Sequence, residues 1–342
     1  MNKEKDFQEI KEIGFTSLID KFTNYTGAKQ QTTLKGIGDD AAVSKTNAGE
    51  LRCTTSEIFL EGIHFDITYT PFHHLGYKLT TAAVSDIYAM NAKPTELLVS
   101  LAIPNKYSVQ MMEQFYKGID AACNDYGIEV IGGDTTASHQ ILAISVTAVG
   151  QATEENIVYR KGAKLNDIIC VTGDLGGALA GLRVLLREKK NWEEEDNSHF
   201  QPDLEDYQYV VQRQLVPEAR QDLISALNDS GIKPTSMIDL SQGLIADLRA
   251  LLRESGCGAT MYSPAIPISF ETRKIADEMK EDVDKYAFYG GEDFEMLFTL
   301  PEPLVEKFKA EFEDFAVIGK IEKIDKQLTV NTGEEKSFRI EI

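Results

Sequence analysis

Residues 35–43 read KGIGDDAAV, with Asp39 and Asp40 side by side between a glycine pair and a small apolar run. Two like charges about 4 Å apart repel by about 4 kcal/mol at an effective dielectric of about 20. Acids recur at the ends of other apolar segments. Glu57 follows Thr54, Thr55 and Ser56; Asp134 follows VIGG; Asp239 follows SMI; Glu292 and Asp293 follow FYGG. On a helix expected over 71–90, Asp86 shares a face with Leu75, Leu79, Ala82, Ala83 and Met90. A carboxylate on a core-facing stripe must be paired, protonated or bound to metal. A solvated turn or a loop hydrogen bond explains any one of these acids, and explains five or six of them much less easily. As a set they suit a hard cation: Mg²⁺ takes oxygen ligands and is commonly shared between carboxylates and substrate phosphates. Thr55 and Ser56, beside Glu57, are candidate accessory ligands.

Other chemistries find no support. GIGDDA fits G-x-G-x-x-A, but two carboxylates sit where a pyrophosphate would approach, and VSKTNAGEL is no helix. There is no P-loop, no G-x-S-x-G elbow and no kinase catalytic-loop motif. His64, His73, His74, His139 and His199 show no zinc spacing. Cys53, Cys123, Cys170 and Cys257 lie far apart without a C-x-x-C, and read as reduced core residues.

These residues need a scaffold of at least two layers. The 342-residue chain is long enough for two domains, and its 42% hydrophobic content supports ordinary cores. Its net charge of −20 argues against nucleic-acid or anionic-membrane partners, while leaving metal-mediated binding of anionic metabolites open. No signal-peptide core and no stretch near 18 apolar residues is present, so a cytoplasmic location is expected.

Helices are expected over 7–25, over 71–90 with Thr70 as N-cap and Pro71 at its first position, and from Ser108 to Gly127. Strands are expected near 51–55, 58–64, 96–104, 128–132 and 140–150. The connector QATEENIVYRKGAKLND leads to a second half. It opens with the strand DIICV, followed by a glycine-rich helix start, GDLGGALAGL, read as tight packing rather than a phosphate loop. The acidic insertion KKNWEEEDNSHFQPDLED reads as a solvated loop. Helices near 204–230 and 244–255 and strands near 235–240, 294–299 and 315–321 follow. The class is α/β or α+β in two halves, divided as 1–152 and 153–342.

In order along the chain, GIGDDAAV, TSEIFLEGIHFD, VSDIYAMNAKPTELLVSL, IGGDTTAS, YRKGAKLND, VTGDLGGALAGL, MIDLSQGL and YGGEDFEMLFT resemble the motifs of thiamine-monophosphate kinases. These belong to the aminoimidazole-ribonucleotide synthetase superfamily, and the resemblance covers about residues 10–325. It implies an N-terminal α/β half whose sheets meet across a homodimer, an α+β second half, and transfer of the ATP γ-phosphoryl group to thiamine monophosphate. Carried over by position, Asp40, Thr55, Ser56, Glu57, Asp86, Asp134 and Asp239 would be ligands for several Mg²⁺ ions, with Asp86, Asp134 and Asp239 central to catalysis. Tyr116, Gly133, Asp134, Arg160 and Ser241 would contact ATP; His64 and Glu292 would contact the thiamine phosphate. The chemistry agrees, because a phosphate acceptor needs charge neutralisation and alignment more than a strong base. Arg160 would add a fixed cation.

Three departures stand out. The family pattern D-[LIV]-S-D-G is DLSQG here, with Gln242 for the second acid. Its T-D step is Ser56-Glu57. A C-terminal aromatic is missing: the only tryptophan, Trp192, lies in the acidic insertion, and Phe338 is the candidate substitute. Three readings follow from them: a kinase with a variant metal site, a diverged ATP-using paralogue acting on another small substrate, or a nucleotide-binding protein without phosphotransfer. Tyr116 read from the sequence alone is equally a core residue, and Ser241 equally a helix cap.

Overall fold

The computed structural model describes residues 8–46, 48–194, 202, 204–323, 327–333 and 336–342. His199 and the middle of the acidic insertion fall outside them. The first half consists of α1 (Ile10–Thr26), β1 (Thr33–Lys35), β2 (Ala42–Lys45), β3 (Leu51–Leu60), α2 (Phe72–Ala89), β4 (Lys93–Pro104), α3 (Val109–Tyr126), β5 (Glu129–Ser138) and β6 (Ala143–Ala152). Its six strands are ordered β1-β2-β3-β6-β4-β5. Among its described strands only β4 and β5 pair in parallel, and α3 supplies the crossover that a parallel pair requires.

Side-chain alternation divides this sheet into two faces. Leu97, Val99 and Leu101 of β4 and Ile144, Val146 and Ala148 of β6 are buried. On the other face, Ile58, Ser145, Ser100 and Asp134 stand opposite one another across four strands. Helices α2 and α3 pack at backbone distance, because Gly76 and Gly118 carry no side chain. A Cβ on Gly76 would sit 2.1 Å from the Phe115 carbonyl oxygen, and one on Gly118 1.9 Å from that of His73.

The second half contributes β7 (Ile168–Thr172), α4 (Gly177–Glu194), α5 (Gln208–Leu215), α6 (Gln221–Ser230), β8 (Ser236–Asp239), α7 (Leu244–Ser255), β9 (Gly258–Tyr262), α8 (Phe270–Met279), α9 (Val283–Tyr289), β10 (Met296–Leu300), α10 (Glu302–Lys309), β11 (Phe315–Glu322), β12 (Gln327–Asn331) and β13 (Ser337–Glu341). The strand order is β13-β12-β9-β11-β7-β10-β8. One core runs through both halves: Ile87, Leu97 and Ile144 belong to the same buried cluster as Leu223, Phe298 and Phe308. A second cluster, with Leu248, Leu297 and Ile318, fills the other face of the second sheet.

Several expected boundaries shift, for local reasons. Pro71, not Thr70, is the N-cap of α2, and it makes no side-chain cap. The two strands expected over 51–64 are one, β3, which ends at Leu60 in a turn closed by His64 N–H donating to the Leu60 carbonyl (2.9 Å). The helix expected over 204–230 is broken at Val216, which Pro217 holds out of helical geometry (φ −140°, ψ 62°). The start of the acidic insertion, through Glu194, continues α4 rather than forming a loop. The Ser108 cap and the left-handed Gly127 stop of α3 are as expected, with Ser108 accepting from Met111 N–H at 3.2 Å. All four cysteines are free and buried.

Candidate active site

Three carboxylates from separate segments converge where the two halves meet. Asp40 lies in the loop before β2, Asp86 on α2, and Asp239 at the end of β8; one oxygen of each lies within 4.8 Å of the others. All three are buried. Their neighbours are short polar side chains. Thr55 Oγ1 donates to Asp86 Oδ2 (2.6 Å), Ser85 Oγ to Asp239 Oδ2 (2.8 Å), Ser241 Oγ to Asp239 Oδ1 (3.3 Å), and Arg160 Nη2 to Asp40 Oδ1 (2.5 Å). Glu57, one residue beyond Ser56 on β3, lies close enough to Asp86 for the two acids to feel each other's charge.

Electrostatics set this cluster apart from a structural network. Burial, then the charges of Asp239, Asp40 and Glu57, drives Asp86 well above the ordinary carboxylate range. Burial and then Asp40 push Asp239 to about 7. Burial and then Asp40 push Asp39 to about 6. One arginine faces this group of acids directly. Asp40 Oδ2 is buried and has no hydrogen-bond partner among the described residues, a state that native interiors seldom leave uncompensated. An orphan carboxylate oxygen among acids that resist ionisation is the donor set a divalent cation satisfies.

A cavity of about 380 Å³ opens along the first half of α2, at Leu75, Lys78 and Leu79, on the same helix that carries Asp86. Its wall includes Phe59, Phe65, Tyr69 and Lys78, and it brings together His64 and Glu292, two residues from opposite halves. His64 Nδ1 accepts from Leu60 N–H at 3.0 Å, which fixes the ring. Glu292 sits on a loop in left-handed geometry (φ 57°), as does Phe294 (φ 52°). Non-glycine residues held there cost about 1–3 kcal/mol each and gather at functional sites. The next residue, Asp293, accepts from the N–H groups of Gly176 (2.7 Å) and Ala178 (3.2 Å) at the start of α4. The GDLGG turn is therefore filled by a protein carboxylate.

Other expected site residues lie apart from this centre. Ser56 points to the opposite face of β3, where its hydroxyl accepts from Thr147 Oγ1 (3.0 Å). Gly133 and Asp134 lie on the exposed strand β5, and Asp134 Oδ1 accepts from Thr135 N–H (2.8 Å). Tyr116 is 41% exposed on α3, edge-on to Phe115, and is not core. Ser241 does not cap α7; its hydroxyl serves Asp239 and its carbonyl accepts from Glu292 N–H (2.9 Å). Gln242 is exposed, and its backbone N–H donates to Asp247 Oδ2 (3.0 Å). Phe338 packs edge-on against Phe288, and Trp192 lies half-exposed on α4; neither lines the cavity.

Two residues escaped the sequence reading. Asp247 is buried, accepts from the N–H groups of Gln242 (3.0 Å) and Gly243 (3.1 Å), and feels Asp239 and Asp40. Its signal was an acid in the first turn of an otherwise apolar helix face, SQGLIADL. Lys78 is 5% exposed, and its signal was a lysine three residues beyond Leu75 on the buried stripe of α2.

The family model described as AIR synthase related protein, N-terminal domain, matches residues 38–152, and that of the C-terminal domain matches residues 165–330. Thiamine-monophosphate kinase of Aquifex aeolicus is 34% identical over 314 residues, covering 92% of this chain and 93% of that protein. The chain belongs to the thiamine-monophosphate kinase family. The Bacillus subtilis member is 32% identical over 276 residues, covering 81% of this chain and 80% of its own. A solved structure described as AaThiL complexed with AMPPCP and TMP superposes with a TM-score of 0.81 at 30% identity, over 98% of this chain and 99% of that one.

Proposed function

We propose that this protein transfers the γ-phosphoryl group of ATP to the phosphate of thiamine monophosphate, giving thiamine diphosphate and ADP. The observation that carries this reading is the convergence of Asp40, Asp86 and Asp239, with an orphaned Asp40 oxygen, at a helix that also walls a cavity lined from both halves. A relative that superposes over nearly the whole chain was solved with AMPPCP and TMP.

Asp40, Asp86 and Asp239, with Glu57 and Thr55 beside them, would hold Mg²⁺. When bound, the metal supplies charge neutralisation between two polyanionic reactants. Arg160, anchored by Asp40, adds a fixed cation at the nucleotide side, and Ser241 borders the same acids. His64 and Glu292 orient the acceptor, whose phosphate is already an anionic nucleophile and needs no strong base.

Gly133, Asp134 and Tyr116 enter this reading through assembly, whereas Ser56, turned to the other face of β3, is left out of the metal site. The uncovered face of the first sheet carries Ile58 (61% exposed), and β5 presents Val130 and Ile131 on its outer edge. An apolar, unpaired edge of this kind is normally covered, and a homodimer that joins two such sheets covers it. Asp134 and Gly133 would then act within a site completed in the dimer. The division at 152/153 is kept as part of this reading; the two matched segments end at 152 and resume at 165. No helix among the described residues is long and apolar enough to cross a membrane, and a cytoplasmic enzyme is the reading in keeping with that.

The test is direct. Purified protein with ATP, Mg²⁺ and thiamine monophosphate should form thiamine diphosphate and ADP in equal amounts, and chelation should stop both. Release of ADP without thiamine diphosphate, or turnover unaffected by chelation, overturns the reading. Sedimentation of the same preparation as a monomer overturns the dimer.

A further inference from the structure

The cavity holds a buried cation that the chemistry above leaves unused. Lys78 projects from α2 with its side chain 6% exposed, and its Nζ donates to the Gln214 carbonyl (2.8 Å) and to Glu292 Oε2 (2.8 Å). With the Gln214 amide turned so that its nitrogen donates to the Ala178 carbonyl (3.0 Å), its oxygen accepts from Nζ as well, at 3.0 Å. An ammonium group has three hydrogens, and three protein oxygens take them. None is left for a phosphate, so Lys78 is not an anion hook.

Those bonds terminate on the second half of the molecule. Glu292 is the acceptor-side carboxylate, and among the described residues Lys78 is its one ion-pair partner. The other acid at the cavity wall, Asp66, is engaged by Lys189 Nζ (2.7 Å) and by Thr68. Glu292 also sits in left-handed backbone geometry that surrounding contacts must enforce. Its N–H is held by the Ser241 carbonyl (2.9 Å), and the next two residues are pinned through Asp293 and through Phe294 N–H on the Leu240 carbonyl (3.1 Å). The backbone is thus fixed from the second half, while the carboxylate is fixed from the first. Glu292 Oε2 is occupied by Lys78; Oε1 makes no hydrogen bond among the described residues.

We propose that Lys78 is a positioning residue for the acceptor site: it reaches across the junction of the two halves and orients the Glu292 carboxylate so that Oε1 is presented to the acceptor. This rests on the kinase reading above and assigns a specificity element within it. A residue acting only through Glu292 affects acceptor binding, leaves the nucleotide side alone, and loses its effect once Glu292 is neutral.

The experiment measures initial rates against thiamine monophosphate and against ATP for wild type, Lys78→Met, Glu292→Gln and the double variant, with melting temperatures alongside. Lys78→Met should raise KM for thiamine monophosphate about tenfold or more, as loss of one partner of a buried charge pair commonly does. KM for ATP should stay within about twofold, a change of under 1 kcal/mol. The double variant should match Glu292→Gln alone, because residues acting as a unit are non-additive. Multiplicative losses in the double variant, an equal rise in both KM values, or an unchanged or lowered KM for thiamine monophosphate overturns the proposal. If Lys78→Met does not fold, Lys78→Arg gives the same readout: it keeps the charge but moves it, so a raised acceptor KM supports positioning and an unaltered one refutes it. A wild type that forms no thiamine diphosphate sinks the kinase reading itself; an active wild type with an indifferent Lys78→Met sinks only this assignment.

Discussion

Asp86→Asn should make the metal-free protein more stable and the enzyme nearly inactive. One carboxylate oxygen each of Asp40, Asp86 and Asp239 lies within 4.8 Å of the others. At an effective dielectric of about 20, each ionised pair at that distance repels by about 3 kcal/mol. Part of this is relieved because Asp86 holds its proton more tightly than an ordinary carboxyl, through burial first and its acidic neighbours second. Asparagine keeps the size of the side chain and an oxygen that can accept from Thr55 Oγ1 (2.6 Å), but it carries no charge. The net gain without metal should therefore be about 1–3 kcal/mol. A gain of 1 kcal/mol raises the melting temperature by about 2–4 °C in a unit of 150–250 residues, and by less in a larger one. The same change removes a cation ligand, and turnover should fall about 100-fold or more, comparable to deleting one electrostatic contact to a transition state. The assay is thermal unfolding in EDTA and in Mg²⁺, paired with the rate of thiamine diphosphate formation. Lower stability in EDTA together with turnover within about threefold of wild type would show that Asp86 is an ordinary structural acceptor, and the argument would fail.

Raised carboxylates also fix the sign of the pH dependence. Asp239 titrates from an ordinary 3.8 when unfolded to about 7 when folded, so the folded state binds more protons between those values. Metal-free stability should fall as pH rises from about 4 to about 7 and level off above. Stabilisation by Mg²⁺, which competes with those protons, should therefore be larger at pH 8 than at pH 5.5, as read by thermal shift; a larger shift at pH 5.5 refutes the assignment. On β3, Glu57→Gln should lower turnover about tenfold or more, while Ser56→Ala, whose hydroxyl faces away, should change the catalytic step little. Reversed effects would place the metal on the other face of the sheet. At the α2–α3 contact, Gly118→Ala places a methyl 1.9 Å from the His73 carbonyl oxygen. It should cost about 1–3 kcal/mol in denaturant unfolding, as overpacking does, and a neutral result would mean that the helices can separate.

How much was legible depended on whether the signal was local. The cap at Ser108, the stop at Gly127 and the stripe bearing Asp86 are written within one helical turn or face, and they were read correctly. The convergence of Asp40, Asp86 and Asp239 could be argued from acids ending apolar segments, but only the pairing of β8 with β10 and the packing of α2 bring them together. Ser56 and Asp134 show the limit. A strand sends adjacent side chains to opposite faces, so a run such as Thr55-Ser56-Glu57 cannot all point one way, and sequence order does not say which face is buried. The strands β9, β12 and β13 and the helices α8, α9 and α10 went unread because each is short, and β9 finds its partners β11 and β12 far downstream in the chain. Lys78 was missed because a lone lysine on an apolar stripe announces no partner, and Glu292 lies 214 positions downstream.

The buried cluster that links Ile87 and Leu97 to Phe298 and Phe308 has a consequence for how this chain is handled. Although two family profiles divide the sequence, neither segment owns a complete interior. Expressing either alone would strip oil-like side chains of their cover and yield insoluble material, whereas the intact polypeptide should melt in one calorimetric step.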